Sequence, residues 1–279
     1  MVKVCLDKFP DGYYMDGYIQ GNLDIAKKVI HKDWDMIFVV DGYEGTGKSV
    51  LTQQMAFYCD PSLTIDRITF NPKDFRKQVL SAEKYQAVVY DEAYGGLSAR
   101  AYYTEVNRTL VEMLAEIRQK NLFIFIVLPC FFELDKYVAL WRSRALFHVY
   151  TQDNFKRGSC SFYDQDRKKS LYTNGKRFLN YYRPPPNFIA SFVNFYVVDE
   201  EDYRKKKASS IRTKVTEKVS RARDHRDALV KALYYDFNLT QAQIIEYMEK
   251  YCSNSMAREN ISLILNKTKE KEAEMMVIP

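Results

Sequence analysis

The chain is poor in the residues that stiffen, break or staple a fold. Its 279 residues include only 10 Gly, 8 Pro and 5 Cys. So little Gly and Pro excludes collagen-like and low-complexity architectures, and an apolar content of 47% points to a packed globular protein. The cysteines (Cys5, Cys59, Cys130, Cys160, Cys252) are odd in number, scattered, and never at metal-ligand spacing. They read as buried or idle thiols in a reducing compartment. The 3 histidines, His31, His148 and His225, stand apart from one another and from acids in any metal pattern, so neither a zinc site nor a catalytic histidine is expected. Long apolar runs are also missing. The longest, Leu122 to Phe132, has 11 residues and contains Pro129, against the roughly 20 needed to span a bilayer. Met1 to Phe9 carries Lys3, Asp7 and Lys8 without an apolar stretch, so no signal peptide is read there. The expectation is a cytoplasmic protein without membrane insertion. No repeat of solenoid period is visible.

What is present is enough chain for one domain of about 150 to 200 residues and a small appendage. The formal net charge is +6, and much of the excess lies in one segment: Arg204 to Arg226 holds 10 Lys/Arg against 2 acids. Clustered cations gain by releasing counterions from a polyanion, although a solvated charged helix has the same composition.

Three regions differ in pattern. From Met1 to about Tyr150, β-type apolar runs alternate with amphipathic stretches, which predicts an α/β fold with a mostly parallel sheet flanked by helices. Strands are expected at Met36 to Val40, Arg67 to Phe70, Ala87 to Tyr90, Leu122 to Leu128 and Leu146 to Tyr150. A helix is expected from Thr104 to Lys120, where Val106, Leu110, Met113, Leu114 and Ile117 fall on one face. Residues 151–198 read as a β extension, with turns at Arg157-Gly158, Asp164 to Asp166 and Asn174-Gly175 before the Pro184 to Pro186 break. The domain expectation is therefore an α/β unit over 1–198, a basic linker over 199–226, and a small helical module over 227–279. In that module Thr240 caps a helix carrying Ala242, Ile244, Ile245 and Met248. A turn at Cys252 to Ser255 leads to a last helix with Ile261, Ile264 and Leu265, and the tail from Thr268 frays. This layout fits a helix-turn-helix unit.

The chemistry begins at MIFVVDGYEGTGKSVL, Met36 to Leu51. Gly42, Gly47, Lys48 and Ser49 satisfy the phosphate-loop spacing GxxxxGK[ST], with a β run entering and a helical stretch leaving. Gly42, Tyr43, Glu44, Gly45, Thr46, Gly47, Lys48, Ser49 and Val50 are the expected ATP-binding residues. The glycines let backbone N–H groups turn inward around a triphosphate. Lys48 would bridge the β- and γ-phosphates, and the Ser49 hydroxyl would be a Mg2+ ligand. Farther on, Tyr85 to Ala93 (YQAVVYDEA) is a buried-type strand ending in two carboxylates. Asp91 at the carboxyl end would hold Mg2+, and Glu92 would polarise the attacking water, which favours hydrolysis over phosphoryl transfer.

An Asp-Glu pair on a separate strand after a phosphate loop resembles the P-loop ATPases with an additional catalytic glutamate. Among these the chain is similar to the FtsK/HerA-like, zonula occludens toxin-like and viral DNA-packaging ATPases, over roughly Asp33 to Tyr150. The resemblance implies ATP, Mg2+, double-stranded DNA and a homo-oligomeric ring. Such families place a polar residue at the end of the strand after the acidic pair, whereas here LFIFIVLPC offers only Cys130. No acidic nuclease cluster is visible, so any DNA cutting is expected from elsewhere. A compact ATPase with its own DNA-binding tail would suit a virus or mobile element.

Arginines often stabilise transferring phosphoryl charge from a neighbouring subunit. Arg144 and Arg142 (ALWRSRALFH) are the first candidates, and Arg100 and Arg108 the second. Tyr13, Tyr14, Tyr18 and Tyr94 can stack on a base, but core packing is the plainer reading. The leading expectation is a motor that hydrolyses ATP to translocate or package DNA. The alternatives are a helicase loader or initiator and a nucleotide-gated DNA-binding switch; a small-molecule kinase leaves the basic arm without a task.

Overall fold

The computed structural model describes residues 2–6, 9–93, 97, 105–251 and 257–275. They belong to two compact units, Met1–Lys207 and Ala208–Pro279.

The first unit opens with an antiparallel hairpin, β1 (Val2–Leu6) with β2 (Phe9–Met15), which no sequence pattern announced. The next element, α1 (Gly17–Ile30), starts where the Asp16 side chain accepts the Tyr18 N–H, and buries Ile19, Leu23, Ala26 and Ile30 as one stripe. Then β3 (Met36–Asp41) enters the glycine loop and α2 (Lys48–Cys59) leaves it. Crossovers through β4 (Ile68–Thr69), α3 (Pro72–Ser81), β5 (Ala87–Tyr90), α4 (Glu105–Glu116) and β6 (Phe123–Leu128) follow. A π-helical turn, Val138–Arg142, precedes β7 (Ala145–Gln152). The expected strands of this region are all present with ends shifted by a residue or two.

The described strands form a sheet of 7 in the order β4-β5-β6-β3-β7-β8-β9, where β8 is Lys156–Tyr163 and, after α5 (Gln165–Phe178), β9 is Phe188–Ser191. From β4 to β7 neighbours run parallel; β8 and β9 add an antiparallel edge. This is a P-loop NTPase fold. Every residue of β3 and β6 is buried because both faces are covered. Alternate residues serve opposite cores: Phe38, Val40, Phe125 and Val127 pack with α1 and α2, while Ile37, Val39, Ile124 and Ile126 pack with α3, α4 and α5.

Two expected turns are not turns. Arg157-Gly158 lies inside β8, and the reversal is at Asp153–Phe155, where Asn154 and Phe155 take φ of 58° and 57°. Asn174-Gly175 lies inside α5, whose start is set by Asp164 accepting the Arg167 N–H. Gly175 is there for space, since a Cβ would come within 2.6 Å of the Asn180 carbonyl oxygen.

The basic stretch expected as a linker is helical, part of α6 (Glu200–Tyr235). The second unit has its own core, in which Val230 of α6 meets Ile244 and Met248 of α7 (Gln241–Tyr251) and Ile261, Ile264 and Leu265 of α8 (Arg258–Met275). Thr240 caps α7, and Gln243 reciprocates by accepting the Thr240 N–H at 2.9 Å. The turn expected at Cys252 to Ser255 lies outside the described residues; the segment expected to fray from Thr268 is helical to Met275. Among the described residues no helix is long and apolar enough to cross a membrane.

Candidate active site

The loop after β3 is held open by three glycines with positive φ: Gly42 at 138°, Gly45 at 78° and Gly47 at 100°. Gly42 also lets β7 approach, because a Cβ there would lie 1.9 Å from the Val149 carbonyl oxygen. Gly47 begins α2 without a side-chain cap, and its carbonyl accepts the N–H groups of Val50 and Leu51, each at 3.1 Å. Thr46 fixes the tip by donating its hydroxyl to the Tyr43 carbonyl at 2.8 Å. Lys48 Nζ donates to the carbonyls of Gly42 and Tyr43, each at 2.6 Å, which carries its charge across the mouth of the loop. Burial pulls the Lys48 ammonium below its usual range, and the charges of Asp41 and Asp91 oppose that pull. Tyr43 and Glu44 face outward at the loop tip, whereas Val50 is buried in α2.

The acidic pair follows β5, two strands across the sheet from β3 and at the same carboxyl edge. The Asp91 N–H donates to the Thr69 carbonyl at 2.8 Å, and Asp91 Oδ1 accepts the Glu92 N–H at 3.0 Å. Glu92 takes φ of 61°, a left-handed conformation that a non-glycine residue adopts at a cost. This turn aims the two carboxylates differently. A hydroxyl on the first turn of α2 and a carboxylate at the same edge of the sheet, beside the glycine loop and Lys48, suit Mg2+ with a triphosphate: Mg2+ keeps several waters and takes few protein ligands. Ser49 and Asp91 are the residues that would hold it.

Both acids are already engaged by the start of α6. The Tyr203 hydroxyl donates to Asp91 Oδ2 at 2.5 Å, and Lys207 Nζ lies 2.9 Å from Glu92 Oε1. Burial first, then the Asp91 charge and hydrogen bond, push the Tyr203 phenol far above its usual range, while the Ser49 hydroxyl acts in the opposite direction. Burial works against the Lys207 ammonium, but Asp91 and Glu92 outweigh it and leave its pKa raised. Neither residue was anticipated, because a polybasic segment does not reveal which lysine turns inward.

Other participants escaped sequence reasoning too. The Arg157 guanidinium lies 3.8 Å from where a Gly45 Cβ would be, so a cation of β8 stands beside the loop. Beneath the loop, Asp41 Oδ1 is 2.9 Å from His148 Nδ1, and Oδ2 accepts the Phe131 N–H at 2.8 Å and the Tyr181 hydroxyl. Tyr181 stacks on His148 with centroids 3.6 Å apart. An Asp-His-Tyr network on β3, β7 and the segment after α5 thus lies beside the end of β6, with the Tyr181 hydroxyl 3.9 Å from Cys130 Sγ. The one sequence signal was Asp41 itself, a carboxylate ending an otherwise apolar strand.

Arg142 and Arg144, expected to serve a neighbouring subunit, lie away from the phosphate loop of their own chain. They precede β7, which runs parallel to β3, so they stand at the amino edge of the sheet, opposite the phosphate loop; the Arg144 N–H donates to the Ile37 carbonyl at 2.7 Å. Arg142 is buried in an ion pair with Asp35 and donates to the Leu114 carbonyl at 2.6 Å, leaving nothing to extend toward a neighbour. The Arg144 guanidinium lies 4.7 Å from the Trp34 ring centroid. Arg108 is exposed on α4; Arg100 and Tyr94 lie outside the described residues. Tyr13 is a core residue that donates to the Gln54 carbonyl, whereas Tyr14 and Tyr18 are exposed.

No protein-family model and no curated protein matches the sequence. Among solved structures, the chain is similar to the genome packaging NTPase B204 from Sulfolobus turreted icosahedral virus 2 in complex with AMPPCP, at 16% identity over 48% of this chain and 94% of that one, with a TM-score of 0.34. It is also similar to the N-terminal domain of zonular occludens toxin from Neisseria meningitidis, at 16% identity over 47% of this chain and 84% of that one, with a TM-score of 0.35. Both are proteins of the groups that the phosphate loop and acidic pair had indicated.

Proposed function

We propose that this protein is a Mg2+-dependent ATPase that translocates or packages DNA, working as a homo-oligomeric ring. The observation that carries the reading is the convergence of Lys48, Ser49, Asp91 and Glu92 at one edge of the sheet, in contact with the first turns of a strongly basic helix. Gly42 to Val50 would cradle the phosphates, Lys48 would neutralise the γ-phosphate, Ser49 and Asp91 would hold Mg2+, and Glu92 would polarise water. When bound, Mg2+ supplies charge for the phosphoryl oxygens; the chain's own residues orient and exclude. Arg157, beside Gly45, would add a cation from within the same chain. The cations of α6 and the helical module after it would grip double-stranded DNA through its phosphates.

A second reading, a nucleotide-gated DNA-binding switch or loader, is favoured by the Lys207–Glu92 ion pair, since a neutralised Glu92 is a poor base. ATP turnover with and without double-stranded DNA, for the parent and Glu92→Gln, separates the two. The motor reading expects strong stimulation by DNA and a loss of turnover of about 100-fold or more in Glu92→Gln, with nucleotide binding retained. Turnover indifferent to DNA would move the assignment to the switch. Light scattering with and without Mg2+ and nucleotide tests the ring, which a monodisperse monomer under both conditions overturns.

A further inference from the structure

The first two turns of α6 sort their cations by direction. Arg204 and Lys205 point outward and pair with Glu200 and Glu201 one turn earlier, at 2.5 and 2.7 Å. Tyr203, Lys206 and Lys207, at the three- and four-residue spacing that shares a helix face, point inward. Tyr203 is 4% exposed and lies against Phe70 and Tyr196, with its hydroxyl on Asp91. Lys206 Nζ donates to the Ile65 carbonyl at 2.7 Å, and Lys207 is on Glu92. A carboxylate whose oxygen already accepts a phenolic proton has less capacity for the hydration shell of Mg2+, and a glutamate paired with an ammonium is a weaker acceptor for the proton of an attacking water. The inward face of the helix therefore offers the acidic pair what the metal and the water would otherwise offer.

We propose that Tyr203 and Lys207 are positioning residues that hold Asp91 and Glu92 in a restrained arrangement, and that double-stranded DNA captured by the outward cations of the same helix releases them. This rests on the ATPase reading of the site. The coupling follows from reciprocity: if DNA favours the arrangement in which Lys207 has left Glu92, then Mg2+ with nucleotide, which competes with Tyr203 for Asp91, must favour DNA binding by the same factor. Phosphate groups near Arg204 to Arg226 also compete directly for the Lys207 ammonium. The ion pair is partly open to solvent, so it can be exchanged without unfolding its surroundings.

The test uses the full chain. Tyr203→Phe keeps the buried ring and removes only the hydroxyl; Lys207→Ala removes a half-exposed ammonium; Lys28→Ala, on the exposed side of α1, controls for loss of a surface charge. Three quantities are measured: Mn2+ required for half-maximal AMPPCP binding, amide hydrogen exchange over 200–207, and DNA-free kcat and KM. The expected result for Tyr203→Phe is a several-fold lower Mn2+ requirement. The expected result for Lys207→Ala is a DNA-free kcat raised about tenfold toward the DNA-stimulated value with KM little changed. In the parent, DNA or Mn2+ with AMPPCP should each speed exchange over 200–207. An unchanged or raised Mn2+ requirement in Tyr203→Phe, together with exchange over 200–207 indifferent to both ligands, overturns the proposal. So does a DNA-free kcat that falls in Lys207→Ala. If the parent hydrolyses nothing, the ATPase reading fails, while the metal requirement and the exchange still judge the restraint.

Discussion

Lys168 is fully buried and, among the described residues, has no acidic partner. Its ammonium donates to the Ala139 carbonyl, which the π-helical turn leaves available, and to Ser143 Oγ at 2.9 Å. Burial, helped by the charges of Lys169 and Arg144, lowers its pKa from the usual 10.5 to about 7. The sign follows from proton counts. Between about pH 7 and 10.5 the unfolded chain binds a proton at Lys168 that the folded chain does not, so this residue makes stability rise with pH across that window, by on the order of 1 kcal/mol per unit. Below about pH 7 both states are protonated and the penalty is complete. Lys168→Met should therefore gain most over the parent at neutral pH and lose that advantage toward pH 10, where the parent keeps its two hydrogen bonds without the charge. Denaturant melts of both proteins across this range check it; a stability difference that does not depend on pH removes the buried ammonium as its source. At this scale the places of the glycine loop after β3 and the acidic pair after β5 were legible, because each is a contiguous run at the end of an apolar strand. Tyr203 was not: 112 residues separate it from Asp91, and only the folded sheet edge brings them together.

Gly42 shows how an element boundary can serve two purposes at once. The phosphate loop needs a glycine there for its turn, and β7 needs it because its Val149 carbonyl occupies the space of a Cβ. Gly42→Ala should destabilise the fold by more than about 3 kcal/mol, lowering Tm even without nucleotide. Gly21, on the exposed side of α1 with nothing within 4 Å of its missing Cβ, is the counterpart. Gly21→Ala should stabilise by about 0.5 to 1 kcal/mol, since a helix-interior glycine costs only backbone entropy. Thermal melts of the two variants should shift in opposite directions; equal shifts would mean that the approach of β7 to the loop carries no energy. Elements were legible where period and flanking signals agreed, as in β3, β5, β6 and α4. They were not where a turn signal had another cause. Asn174-Gly175 looks like a hairpin, but Gly175 is small to let Asn180 and Phe132 approach α5. The parallel course of β7 sends Arg142 and Arg144 to the amino edge of the sheet, a placement set by strand direction that the local sequence does not show.

The whole molecule divides after Lys207, so the lysine on Glu92 and the tyrosine on Asp91 belong to the first unit, although composition assigns them to the basic arm. Sequence composition located the basic segment but not this partition, because which face of a helix is buried depends on what it meets. The partition makes a prediction. A chain ending at Lys207 keeps Tyr203, Lys206 and Lys207 on the site but lacks Arg212 to Arg226 and the helical module. It should bind Mg2+ and nucleotide like the full chain and hydrolyse ATP at the same low DNA-free rate, yet show no stimulation by DNA. The full chain should bind duplex DNA with an affinity falling steeply with salt, by a logarithmic slope of about 0.9 for each phosphate neutralised. In the shortened chain that slope should be nearly flat. Filter binding or anisotropy across a salt series, alongside turnover, decides between two origins of the charge on α6. If the shortened chain keeps both the slope and the stimulation, the nucleic-acid surface belongs to the nucleotide-binding unit, and the cations beyond Lys207 are a solvated helix face.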